Sequence, residues 1–361
     1  MIPRIQGILR GIKSRFQAAP RNLPDFEAVL SLYGLKLTST PTAAPGGMRN
    51  KNVIIETDQG KKLLKCYKSS LGDSTIVQEH SILQYLQQQA FPAVRITPSK
   101  SEKTLVSIGQ DRYVIFDFIE GGFRLFDYML PRNQVNRFIV MAGSILADLH
   151  NCLKDFIPNG YNPDGLHKKS RHRIRGPEWF LEKLTTTQKR VSARHKTLKS
   201  PHEREFQRQA SYVGDLIYGV GDRLSRVELP CQIIHKDYNR SNLLFRKNRS
   251  PVIIDFEMAR LDWKVIDIIS GWEGFCYHKK GINLDKARLF LRSYLRKNTL
   301  TKDEMDLIPT VWQFLDLRRF VLSWHRYNQN QIAAYLEKSA FYLNRIRHYE
   351  TFELEIRKLL D

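Results

Sequence analysis

The spacing of apolar residues changes along the chain. From about residue 53 to 119 the apolar runs are short and branched. Val53–Thr57 and Lys61–Tyr67 read as two strands, with Asp58, Gln59 and Gly60 supplying turn chemistry between them. Asp73–Gln89 then takes a helical period, placing Glu79, Ile82, Leu83 and Leu86 on one face, and Asp73, Ser74 and Thr75 offer capping side chains. Tyr113–Phe116 is a further short strand. Past Gly121 and Gly122 helical periodicity dominates, as in Gln134–His150 with its stripe of Val135, Phe138, Ile139, Ala142, Ile145, Leu146 and Leu149. Leu243–Phe245 and Val252–Ile254 interrupt it as paired strands around the turn Arg246–Pro251, and Thr301 with Glu304 forms a capping box opening a helix toward Tyr327. The pattern predicts an α+β chain: a small antiparallel sheet over residues 24–119, a mainly helical part over 120–361, and a basic extension over 1–23.

Chemistry gathers at the interruption. His235, Asp237 and Asn242 form H-x-D-x-x-x-x-N, and Asp255 follows Asn242 by thirteen positions. Transfer of a γ-phosphoryl group needs a carboxylate to orient the acceptor hydroxyl and take its proton, and oxygen ligands that hold Mg2+ across the phosphates. Asp237 suits the first task, Asn242 and Asp255 the second, because the predicted hairpin carries those two on neighbouring strand ends. A glycine pair, Gly46 and Gly47, precedes the first strand and lets backbone approach phosphate closely, although alone it fits a plain hairpin turn better. Glu79 sits on the apolar face of its helix and needs a buried partner, for which Lys65 is the natural choice beside the alternatives Lys61, Lys62 and Lys68.

These residues resemble those of the aminoglycoside phosphotransferase and choline kinase superfamily, the small-molecule relatives of protein kinases. Asp255-Phe256-Glu257 stands where a protein kinase has Asp-Phe-Gly, and no A-P-E motif follows. The segment from Gly46 through Asn50 to Asn52 resembles the nucleotide loop of choline-kinase-like proteins, and Thr57–Lys65 is similar to a strand of spore-coat kinase-like proteins. The resemblance implies a two-lobed, protein-kinase-like fold that uses ATP and Mg2+. It implies that Gly46, Gly47 and Asn50 cover the phosphates and that Lys65, positioned by Glu79, binds them. Backbone groups around Asp117, Phe118 and Ile119 would meet the adenine ring. Asp237, with His235 in the same motif, would do the chemistry.

Composition narrows the setting. The chain of 361 residues is 42% hydrophobic and 11% aromatic, which excludes disorder as its main state. Cys66, Cys152, Cys231 and Cys276 are scattered without a C-x-x-C pair, so neither a zinc site nor a disulfide framework is expected, and a reducing cytoplasm fits. No apolar run spans a bilayer. Net charge is +21, and residues 161–210 hold 13 Lys/Arg against 5 Asp/Glu, a surface able to attract an anionic partner or a membrane, or simply to be solvated. Residues 1–21 lack acids and alternate apolar with basic positions, which suits a membrane-surface helix, packing on the fold, or disorder. No nucleic-acid-binding module accompanies these segments. Trp263, Trp272, Phe275 and Tyr277 could cage a quaternary ammonium or pack the core. The resemblance implies a small-molecule hydroxyl as acceptor, with choline, ethanolamine, homoserine and sugars all open, and a polycation disfavoured by the +21 field. A pseudokinase scaffold, or a basic nucleic-acid- or membrane-associated protein, is the alternative in a different class.

Overall fold

A computed structural model describes residues 26–44, 51–125, 130–161, 177–195, 199–247, 249–278 and 281–360. The extension 1–23, the loop holding Gly46, Gly47 and Asn50, and basic residues 162–176 lie outside them. The chain divides into two compact units. One gathers the described residues up to Arg124 with Pro158–Tyr161 and Asn242–Met258; the other holds Leu125–Ile157, the described part of 162–241, and the chain from Ala259 on.

The first unit is built on an antiparallel sheet of β1 (Thr42–Ala43), β2 (Lys51–Thr57), β3 (Gly60–Tyr67), β4 (Ile96–Thr97), β5 (Val106–Ile108) and β6 (Asp111–Asp117), in the order β1-β2-β3-β6-β4 with β5 also on β6. Thr57 pairs with Gly60 across a two-residue turn, and the φ of +94° at Gly60 is one that side-chain-bearing residues avoid. Alternation along β3 sorts its side chains. Leu64 and Cys66 enter a core with Val29, Leu30 and Tyr33 of helix α1 (Phe26–Tyr33), which leaves Lys65 and Tyr67 on the opposite face. Helix α2 (Asp73–Gln88) covers that face with Ile76, Glu79, Ile82, Leu83 and Leu86. Its N-cap is Gly72, with no side-chain cap; the expected capping role of Asp73 is not realised, because its carboxylate takes the Arg112 guanidinium.

Six more strands follow: β7 (Cys231–Ile234), β8 (Leu243–Arg246), β9 (Arg249–Ile253), β10 (Arg260–Trp263), β11 (Tyr277–His278) and β12 (Gly281–Ile282). The β8–β9 hairpin belongs to the first unit. Phe123 and Phe245 exchange backbone hydrogen bonds of 2.9 Å in both directions, and the Val94 amide donates to Ile253 at 3.0 Å.

The second unit is helical: α3 (Arg132–Cys152), α4 (Pro177–Ser192), α5 (Pro201–Ser225), α6 (Lys264–Phe275), α7 (Leu284–Leu295), α8 (Lys302–Asn330), α9 (Ala334–Arg347) and α10 (Tyr349–Leu360), with β7 paired antiparallel to β10. Helices α3 and α7 touch closely at Gly143, where a Cβ would stand 2.2 Å from the Phe290 carbonyl oxygen. The Thr301/Glu304 capping box is formed, and α8 continues through Pro309 to Asn330. Among the described residues no helix is long and apolar enough to cross a membrane.

Candidate active site

In the first unit, Lys65 Nζ lies 3.1 Å from Glu79 Oε1, and both side chains are nearly inaccessible. Two further acids converge on the ammonium: Glu257 at 3.6 Å and Asp255 at 3.9 Å. Burial works against the Lys65 charge, but the carboxylates of Glu79, Asp255 and Glu257 outweigh it and hold the ammonium above its ordinary pKa. Burial raises the Glu79 carboxyl, opposed by Lys65 and by the Tyr67 hydroxyl. Glu79 takes Lys65 and none of the other lysines considered: alternation turns Lys62 to the other face, where it pairs with Asp117, and Lys61 pairs with Glu56.

The hairpin delivers the remaining oxygens. The Ile254 amide donates to the Asn242 carbonyl at 3.0 Å, so Asn242 and Asp255 leave the open end of β8–β9 side by side. Asn242 is buried, whereas the Asp255 side chain is half exposed. Asp255 has a φ of +66°, strained for a non-glycine residue and typical of positions fixed for function. Glu257 follows on the short 3-10 turn Phe256–Met258 and is buried. No cluster of three or more His, Cys, Asp or Glu arranged for a metal occurs among the described residues. One carboxylate and one carboxamide nevertheless fit Mg2+ in a kinase, since Mg2+ takes few protein ligands and completes its shell with phosphate and water. The excess of three carboxylates over one ammonium leaves negative charge to be neutralised there.

Asp117 closes β6, and its carboxylate is committed to Lys62 at 2.8 Å and the Thr97 hydroxyl at 2.9 Å. The Asp117 amide donates to Arg95, and the Ile119 carbonyl accepts from Gly122 at 3.2 Å. Those two backbone groups are thus engaged within the protein, and the Phe118 ring lies under Lys61 Nζ.

In the second unit, Asp237 is exposed on a loop whose frame is buried. Asp267 of α6, fully buried, accepts the His235 amide at 2.7 Å and the Lys236 amide at 2.6 Å, and lies 3.2 Å from His150 Nε2. Lys236 turns the chain with a φ of +65° and pairs with the buried Asp262. Burial pulls its pKa down to about 8, opposed by Asp262 and reinforced by Arg260 and Arg318. The Asn239 carboxamide donates to Asp237 Oδ1 at 2.9 Å. His235, grouped with Asp237 by the motif, has no accessible surface; its Nδ1 accepts the Asp237 amide at 3.3 Å and its ring packs on Tyr238. It braces the loop and is not positioned to exchange a proton with an acceptor. Asp267 escaped the sequence reading, although an acid inside the apolar run Val265–Ile269 carried the same signal as Glu79.

The aromatic set also resolves. Trp263, Trp272 and Phe275 are buried; Trp272 packs on Trp312 and donates its indole N–H to Ala287, and Phe275 stacks on Phe290. Three of the four residues are core, so no ammonium cage is formed by them.

Residues 40–299 match the sequence profile of the phosphotransferase enzyme family. The chain belongs to the phosphotransferase enzyme family. The homoserine kinase of Caulobacter vibrioides is 23% identical over 305 residues, covering 82% of this chain and 85% of that protein. Among solved structures, an amicoumacin kinase in complex with AMP-PNP, Ca2+ and Ami superposes with a TM-score of 0.63 at 15% identity, covering 93% of this chain and 95% of that one. A Plasmodium vivax ethanolamine kinase gives a TM-score of 0.58 at 16% identity, covering 92% and 86%. The phosphotransferase has the protein-kinase-like fold, with an antiparallel sheet followed by a mainly helical remainder. It is a kinase acting on an alcohol group of a small molecule.

Proposed function

We propose that this phosphotransferase uses Mg-ATP to phosphorylate the hydroxyl of a small amino-bearing alcohol, homoserine or ethanolamine being the first to test. The convergence of Lys65, Glu79 and Asp255, far apart in sequence, within one unit supports the reading most strongly. Lys65 binds phosphate oxygens, and Glu79 holds Lys65 in place. Asn242 and Asp255 hold Mg2+, which neutralises charge developing on the phosphates when bound. Asp237 orients the acceptor hydroxyl and takes its proton as the new O–P bond forms and the bond to the ADP oxygen breaks. The names of the curated relatives favour an amino alcohol over a sugar, and the burial of Trp263, Trp272 and Phe275 removes the chief argument for choline. A cytoplasmic setting, with ATP at hand and four cysteines kept as thiols, suits this activity.

Nucleotide binding tests the reading without knowledge of the acceptor. A ligand that binds only the native state raises the melting temperature by mass action. Millimolar Mg-ATP is expected to do so in the wild type, and Asp255→Ala to lose the magnesium-dependent part of the shift. A wild-type protein indifferent to Mg-ATP contradicts the proposal.

A further inference from the structure

Lys65 has three carboxylates within 4 Å, and nothing in its own flexible side chain decides which of them holds it. The decision lies with Glu79. Its two oxygens are loaded differently: Oε1 accepts from Lys65 at 3.1 Å, and Oε2 accepts the Tyr67 hydroxyl at 2.8 Å with a longer bond from Lys65 at 3.4 Å. Tyr67 reaches this position because it lies two residues beyond Lys65 on β3 and therefore on the same face. Its ring also lies beneath the ammonium, with Lys65 Nζ 4.6 Å from the centroid.

The chain of contacts continues away from the lysine. Tyr67 Oη is 2.9 Å from His80 Nε2, and His80 Nδ1 is 2.9 Å from Thr104 Oγ1. Proton count fixes every donor. The Glu79 carboxylate only accepts, so the single phenolic proton points to it, and the Tyr67 oxygen must accept from His80 Nε2–H. The neutral imidazole then has a bare Nδ1, which accepts the Thr104 hydroxyl proton. Burial, with Lys65 nearby, holds His80 down to about 3, so it stays neutral, and burial raises the Tyr67 phenol well above 10, so it keeps its proton. Tyr67, His80 and Glu79 are all buried, which shields the series from water.

The geometry points to Tyr67 and His80 as positioning residues that lock the Glu79 carboxylate, so that Lys65 donates its hydrogen bonds to Glu79 and stands farther, at 3.6 Å and 3.9 Å, from Glu257 and Asp255. Resting on the kinase reading above, this gives the lock two consequences. The ammonium keeps the orientation that serves phosphate, and the acid proposed to hold Mg2+ stays at 3.9 Å, not drawn into a direct hydrogen bond with Lys65. Without the phenolic hydroxyl, Glu79 is free to turn, and Lys65 is free to drift to the acids beside it.

Binding of Mg-AMP-PNP to the full chain, measured calorimetrically across a series of Mg2+ concentrations, tests this without an acceptor. Tyr67→Phe keeps the ring and its contact with the ammonium but removes the hydroxyl. It is expected to weaken nucleotide binding about tenfold or more, the scale of a hydrogen bond to a charged group, and to raise the Mg2+ concentration needed for half-saturation. His80→Gln can still donate to Tyr67 and accept from Thr104 and should stay within about threefold of wild type, whereas His80→Leu should behave like Tyr67→Phe. A loss of packing alone would not move the Mg2+ requirement and would not distinguish Gln from Leu. If Tyr67→Phe fails to fold, the His80 pair decides. Wild-type affinity and Mg2+ requirement in Tyr67→Phe, or equal behaviour of the two His80 variants, overturns the inference. Absence of binding by the wild type would instead defeat the kinase reading itself.

Discussion

Asp237 is exposed, yet the groups that fix its backbone, His235 and Asp267, have no accessible surface. Its carboxylate contributes little to that buried frame, so removing its charge should separate chemistry from folding. Asp237→Asn is expected to keep the melting temperature and Mg-ATP binding while turnover falls about 10²–10⁴-fold, the scale of a positioned acid–base group. Turnover near wild type at saturating ATP would reject Asp237 as the base. His80 makes a prediction about pH. An unfolded chain protonates this imidazole near 6.5, whereas the fold holds it at about 3 through burial and Lys65. As pH falls from about 6.5 toward 3, the unfolded state binds a proton that the native state refuses, so stability is lost across that window and is unaffected above it. Urea melts at pH 7 and pH 5 should show the wild type losing up to about 2 kcal/mol more than His80→Gln, which has no such proton. Equal losses would mean that the imidazole is not held neutral.

Helix α6 is the element on which the Asp237 loop depends. Asp267 on its first turn takes two loop amides, and Gly274 on its last turn lies so close to the loop that a Cβ would stand 2.8 Å from Asn239 Cβ and 2.9 Å from its Cα. Gly274→Ala must push Asn239, which donates to Asp237. It is expected to cost about 1–3 kcal/mol of stability by overpacking, measured by denaturant melts, and to lower turnover about tenfold or more. Unchanged turnover would show that the loop absorbs the shift. These contacts also mark how much was legible beforehand. Local signals sufficed for β2, β3, α3 and the β8–β9 hairpin, and Glu79 was traceable because an acid on an apolar helix face needs a partner. Asp267 obeyed the same rule, but two of its partners are backbone amides, which leave no trace in residue type, and the third is His150, 117 positions away. The aromatic set misled for a related reason: residue type alone does not separate a cage from a core, and burial of Trp263, Trp272 and Phe275 decided it. The left-handed backbone at Lys236 and Asp255 was likewise invisible, since lysine seldom adopts it and even Asp does so in only a minority of positions.

At the scale of the molecule, one unit holds Lys65, Glu79, Asn242 and Asp255, and the other holds Asp237. The passage of Asn242–Met258 into the first unit was not legible from periodicity, because it rests on the long-range pairings of Phe245 with Phe123 and Ile253 with Val94. Net charge of +21 draws anionic nucleotide toward the protein and repels polycationic acceptors, in keeping with a small acceptor of low charge. The basic stretch over 161–210 remains a proposed site for an anionic partner or membrane surface, since 162–176 lie outside the described residues. The account stands on phosphoryl transfer from ATP to an alcohol. Purified protein incubated with Mg-ATP and a panel of amino alcohols, hydroxy amino acids and sugars, with products detected by mass, measures that directly. The wild type should yield a phosphorylated acceptor and an equal amount of ADP, both falling about 10²–10⁴-fold in Asp237→Asn. Failure of every acceptor in the panel, with no ADP beyond that of protein-free controls, would contradict it.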